Sequence, residues 1–201
     1  MQYAEPEQPP LHCPICMDDR QYVGWNGQTW TTHDALEKKY KLRIEDDCGL
    51  LGISLPNEFA IPQRALLLPT DAGNIMWGCV SIVTDKAVAE VKARGGVRKI
   101  IISHPHFYAS MVEWSNALGG VAILLNAADK EWVQRQAPQI EFWSGDEHKL
   151  SDQITPIRVG GNFSGSTALH WKDGPRSGGA LFPGDALQVV YDRRHVSFMY
   201  S

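Results

Sequence analysis

KIIISHPHFYAS, residues 99–110, passes from a β-branched apolar run to two histidines, His104 and His106, separated by one proline. Ile100, Ile101 and Ile102 have the chemistry of a buried strand, and Gly95-Gly96 just before it marks a break in the chain. On extended backbone, residues i and i+2 point to the same side, so the two imidazoles can converge on one point. Two convergent neutral imidazoles are a chelate for a divalent ion. Pro105 has no amide hydrogen to give a sheet and belongs where a strand gives way to a loop. A bare H-x-H is also met as loop histidines bonded to backbone or water. The setting, between a Gly-Gly break with its strand and an amphipathic segment, favours the chelate.

The flanking sequence extends this pattern. RALLLPTDAGNIMWGCVSIV, residues 64–83, reads as two apolar strands joined at 69–73, and Thr84-Asp85 caps a helix through VAEVKAR to Gly95-Gly96. A helix near 107–118 is predicted to end at Gly119-Gly120. It is followed by a strand VAILLN, a short helix from Ala128 to about Arg135, and a strand IEFWS. ITPIRVGG, STALHW and ALFPGDALQVV have strand chemistry with Gly-rich breaks. Strand pairs followed by β-α-β units predict an α/β (α+β) fold, a mixed sheet with helices outside it. No repeat of solenoid period is present.

Upstream, the first dozen residues are rich in Pro, Glu and Gln and end at a CPIC knuckle, Cys13 and Cys16. Turn signals at Gly24 and Asn26-Gly27 precede a helix capped by Thr32 or Asp34. This predicts an N-terminal extension over residues 1–58, with the knuckle and one short helix, ahead of a main domain over 59–201.

With 201 residues, 43% of them hydrophobic, the chain has enough apolar surface for a full core. Lys+Arg 19 against Asp+Glu 23 gives a formal charge of −4 without a basic block, which argues against a nucleic-acid partner. The absence of a long apolar run argues against a membrane span, and the acidic, Pro-rich start does not resemble a secretory signal. A cytoplasmic location is expected. Four cysteines in such a chain are read as thiols or metal ligands rather than a disulfide frame. C-x2-C is half of a structural zinc site, with His12, His33 or Cys48 to supply the remainder, or it is a pair of free thiols in a tight turn.

Two further loops fall at the carboxyl ends of strands, where α/β sheets place their sites: Gly160-Gly161-Asn162 after ITPIRV, and Gly184-Asp185 after ALF. Each can also be a plain turn. His170 reads as an ordinary strand histidine.

In order, GNIMWGC, HPHFYAS, GGNFSGSTALHW and LFPGD resemble the metallo-β-lactamase-fold hydrolases, from about Phe59 to Ser201. The similarity is greatest to a branch in which a CPIC segment and a QTWTT-like stretch (Gln28 to Thr32) come first. The resemblance implies an αββα sandwich whose loops hold one or two zinc or iron ions, and attack of a metal-bound hydroxide on an ester, thioester, amide or lactone. The family pattern H-x-H-x-D-H falls on His104, His106, Tyr108 and Ala109, so two ligands are kept and two are replaced. The third-motif histidine falls on Asn162, the bridging aspartate on Asp185, and an early aspartate on Gly78. No counterpart of the last histidine precedes Ser201, so the usual C-terminal elements are expected to be missing, and a homodimer is one way to cover the edge they would leave.

The resemblance thus implies one divalent ion, zinc first with iron or manganese as alternatives, on His104, His106 and Asp185, with Asn162 as a neutral oxygen donor. Asp185 and Tyr108 are the candidate catalytic groups, Tyr108 because a phenol beside a metal can donate a proton or orient a carbonyl oxygen, with packing on the helix start as its alternative, and the substrate is a small carbonyl compound. The alternatives are a non-hydrolytic enzyme (isomerase, cyclase or lyase) on the same scaffold and a binding protein that has lost its metal.

Overall fold

The computed structural model describes residues 3, 8–19, 23–55, 59–175 and 178–198. Seven strands form one sheet in chain order: β1 (Arg43–Asp47), β2 (Leu50–Leu55), β3 (Gln63–Leu68), β4 (Ile75–Trp77), β5 (Lys99–Ile101), β6 (Ala122–Asn126) and β7 (Ile140–Trp143). The first four pair antiparallel, and β4 to β7 run parallel. Parallel neighbours need a crossover. Helix α2 (Asp85–Ala93) supplies one between β4 and β5, and α3 (Met111–Ala117) another between β5 and β6.

A second, three-stranded antiparallel sheet has the order β10 (Ala180–Phe182), β9 (Thr167–Trp171), β8 (Ile154–Arg158). A short hairpin of β11 (Leu187–Val189) and β12 (Val196–Phe198) follows. Two apolar layers explain the stacking. Ala65, Leu67, Ile100, Ile102, Ile123 and Leu125 face a core shared with Ala87 and Val91 of α2 and with Val112 and Trp114 of α3. The intervening Leu66, Leu68, Ile101 and Leu124 face Ile154, Leu169 and Trp171 of the second sheet. A strand buried on both faces reads as a continuous apolar run, which is why residues 99–102 and 121–125 have no polar alternation. Helix α1 (His33–Lys39) lies on the helical side, where Leu36 packs against that core. Among the described residues no helix covers the outer face of the second sheet.

The caps follow the sequence: the Thr32 and Thr84 hydroxyls accept the Ala35 and Ala87 N–H groups. Three expectations need correction. The boundary at residue 59 does not separate the sheet from what precedes it, because β1 and β2 continue the same sheet and β2 pairs with β3. Residues 127–132 form 3₁₀ turns rather than an α-helix; the Asn126 side chain accepts the Ala128 N–H, a local bond that competes with an α start. The histidine pair lies just beyond β5, where Pro105 marks the end of the strand, but only His104 is on extended backbone; His106 falls in a 3₁₀ turn, Pro105–Phe107, so the i, i+2 alternation of a strand is not what brings the two rings together. No helix among the described residues is long and apolar enough to cross a membrane.

Candidate metal centre

His104, His106 and Asp185 come together where β5 and β10 end. One donor atom from each lies within 4.8 Å of the others, and among the described residues no other group of three His, Cys, Asp or Glu side chains does so. The imidazole centroids are 5.1 Å apart with the rings at 71°. His104 is 1% exposed. Its Nδ1 is 2.9 Å from the Ser103 hydroxyl, which can accept the Nδ1 hydrogen and leave the Nε2 lone pair free. Nε2 is 3.2 Å from Oδ2 of Asp185, yet this buried nitrogen has no properly angled hydrogen-bond partner. A histidine bonded to a carboxylate would point its N–H along the line to oxygen. Two donors side by side and aimed past one another are arranged as ligands around a common centre.

Close backbone approaches create this geometry. Gly184 has φ +59, and a Cβ there would fall 2.7 Å from Cβ of Ser103, so only glycine lets the PGD loop lie against the end of β5. Thr167 N–H donates to the Ser103 carbonyl at 2.8 Å and ties the start of β9 to the same point. Asp185, with its side chain 28% exposed, and the half-buried His106 are the members of the group within reach of solvent, whereas His104 is fully buried.

The loop 160–166 closes the other side. Asn162 is buried, and its Nδ2 is 3.4 Å from Nδ1 of His106. Asp129, buried at 1% exposure, accepts the Gly165 N–H at 2.6 Å and pins this loop to the turn after β6. A Cβ on Gly165 would lie 2.6 Å from Cγ of Asp129, so the close seat of this carboxylate again requires glycine. Phe163 stands edge-on to His106 at 4.8 Å and Phe107 edge-on to His104 at 5.0 Å, with Trp132 against Phe163. These rings form an apolar wall around the imidazoles. Ser103, Phe107, Asp129, Phe163 and Gly165 were not singled out from the sequence; an acidic residue and a glycine at strand ends were the available signals for Asp129 and Gly165.

Tyr108, expected beside the metal as a proton donor, is instead a core residue at 1% exposure. Burial first, and then the Asp129 charge, push its hydroxyl well above the ordinary tyrosine range and keep it protonated. Ala109, where the family pattern has its next histidine, is buried with φ +32 and offers no ligand. His170 is exposed on β9. His33 accepts the Val83 N–H through Nε2 at 2.9 Å and Cys48 is exposed. Cys13 and Cys16 thus acquire no third protein ligand among the described residues, and the structural-metal reading of the knuckle finds no completing group.

No family model matches the chain. The fold resembles that of the DIM-1 metallo-β-lactamase, with a TM-score of 0.61 over 75% of this chain and 72% of that one at 14% identity. It also resembles TTHA1623 in a di-iron-bound form, with a TM-score of 0.51 over 63% of this chain and 69% of that one at 19% identity. In sequence the chain is 38% identical over 204 residues to the uncharacterized protein YmaE of Bacillus subtilis (strain 168), which covers all of this chain and 74% of YmaE. The chain belongs to the family of YmaE and has the metallo-β-lactamase fold.

Proposed function

We propose that this protein is a metal-dependent hydrolase of small carbonyl substrates, an ester, thioester or lactone, working through a single divalent ion at His104, His106 and Asp185. The observation that carries the reading is the buried Nε2 of His104, without a hydrogen-bond partner and beside the Asp185 carboxylate. Two imidazoles and one carboxylate suit zinc, and three protein ligands leave positions open. A divalent ion held there would polarise a substrate carbonyl and acidify a water.

The chain's own contribution is positional. Ser103 fixes the His104 tautomer, and Asn162 stands against His106, where its amide orients the ring or, turned over, presents an oxygen to the centre. The Phe107 and Phe163 rings pack edge-on to His104 and His106, and His104 is shut off from bulk water. Asp185 is reached by solvent and can accept a proton from an entering water.

Elemental analysis after purification without chelator, with metal offered back, tests the reading. About one equivalent is expected in the wild type and a large loss in His106→Ala; less than about a tenth of an equivalent in the wild type overturns the proposal. A panel of esters, thioesters and lactones, with Asp185→Asn as the control, then reads the chemistry. Bound metal with no turnover of any of them transfers the scaffold to a non-hydrolytic reaction.

A further inference from the structure

The geometry points to the CPIC turn as a thiol–disulfide exchange site, in which Cys16 meets an external low-molecular-weight disulfide and Cys13 resolves the mixed disulfide into a Cys13–Cys16 bond. This function is separate from the metal centre and does not depend on it.

Cys13 and Cys16 lie on one turn, closed by the Met17 N–H donating to the Cys13 carbonyl at 3.0 Å. The turn is held from across the chain: Oε1 of Gln28 accepts the Cys13 N–H at 3.2 Å and Nε2 of Gln28 donates to the Cys13 carbonyl at 3.4 Å. Cys13 is 2% exposed, whereas Cys16 is half-buried, so an external reagent reaches Cys16. On a turn of this pitch residues three apart lie on the same side, which places the Cys13 and Cys16 side chains on one face. The Cys16 thiol is the main group that brings the Cys13 thiol down to about 5, against the opposing effect of burial, and the Tyr3 hydroxyl and then the Cys16 backbone N–H add to it. Cys13 in turn pushes the Cys16 thiol up. The neighbouring thiols thus favour ionisation of Cys13 and oppose that of Cys16, so their titrations are linked. No third His, Cys, Asp or Glu completes a metal site with them among the described residues, leaving the sulfurs for each other.

The exchange balances as follows. Cys13 acts as the base: as the Cys16 sulfur attacks one sulfur of R–S–S–R its proton passes to the Cys13 thiolate, Cys16–S–S–R forms, and the R–S⁻ released takes up that proton from Cys13. The Cys13 thiolate then attacks the Cys16 sulfur and expels the second R–S⁻. The two cysteines lose two electrons and the external disulfide gains them.

The test uses the full chain in a Cys48→Ser background, because Cys48 is exposed and would react on its own. After incubation with oxidised glutathione at neutral pH and an acid quench, the intact mass is expected to fall by two hydrogens. Peptide mapping should place the bond between Cys13 and Cys16, and reduced glutathione should reverse it. Cys13→Ser should retain glutathione on Cys16, and Cys16→Ser should stay unmodified. Four outcomes overturn the proposal: no Cys13–Cys16 bond at any glutathione ratio; stable glutathione on Cys16 of the intact pair; Cys16→Ser as reactive as its parent; or a stoichiometric zinc ion retained by the two cysteines in a His104→Ala, His106→Ala protein.

Discussion

Ser103 joins three segments at one point: its hydroxyl meets Nδ1 of His104, its Cβ limits the approach of Gly184, and its carbonyl accepts the Thr167 N–H. Removing the hydroxyl leaves the Cβ contact in place, so Ser103→Ala should fold as the parent does and lose about 10- to 100-fold in metal affinity, the usual effect of deleting a partner that orients a ligating histidine. Gly184→Ala should be more damaging, since it adds a clash at 2.7 Å to backbone at φ +59. Competition against a chromophoric chelator measures both, and a Ser103→Ala protein with the parent's affinity would remove the serine from this role. His104, His106, Asn162 and Asp185 were legible in the sequence because each follows an apolar run, at the strand end where such sites form. Ser103 was not, because its importance comes from the approach of PGD, a segment far along the chain. Tyr108 was misjudged for the converse reason: spacing places a residue along the backbone but does not say whether its side chain faces the core.

At the level of elements, the continuous apolar strands and the threonine caps could be read directly, whereas β1 and β2 could not. β1 is an edge strand with a charged RIEDD sequence, and its partner is set by a two-residue turn at Cys48-Gly49, both with positive φ, in which Asp46 accepts the Gly49 N–H. Cys-Gly is an unusual choice for such a turn, so the hairpin carried little local signal. The loop 160–166 depends on tertiary contact in the same way, since its anchor Asp129 lies 36 residues from Gly165. Gly165→Ala forces a Cβ into the Asp129 carboxylate and pushes the residue 165 N–H out of its bond to it, at a cost of about 1–3 kcal/mol in stability. Asp129→Asn keeps an acceptor oxygen and should cost less. Urea unfolding of both variants, together with metal affinity, checks that this loop supports Asn162 against His106; a Gly165→Ala protein as stable as the parent would refute the anchoring.

For the whole molecule, the buried acids set how stability depends on pH. The Cys79 thiol donates to the carbonyl of Phe107 at 3.3 Å beneath the histidine turn, and burial pushes it up to about 12. Tyr108 beside it is raised too. Between the ordinary thiol value and about 12, the unfolded chain has lost the Cys79 proton while the native protein keeps it, so the native state binds more protons and stability falls as pH rises. Cys13 acts in the opposite sense: lowered to about 5, it is already ionised in the native protein where the unfolded thiol is not, so stability rises with pH from there to the ordinary thiol value. The two effects place the maximum near the ordinary thiol value, with Cys79 contributing up to about 1.4 kcal/mol per pH unit of decline above it. Denaturant midpoints measured under reducing conditions from pH 5 to 11 (a range set by the shifts of Cys13 and Cys79) should trace this dome. Cys79→Ala should make the alkaline limb shallower while leaving the acid limb unchanged, whereas Cys13→Ser should flatten the acid limb and, by releasing the Cys16 thiol that it holds protonated, part of the alkaline limb as well. An alkaline limb equally steep in Cys79→Ala would show that this thiol is not held protonated by the core above it.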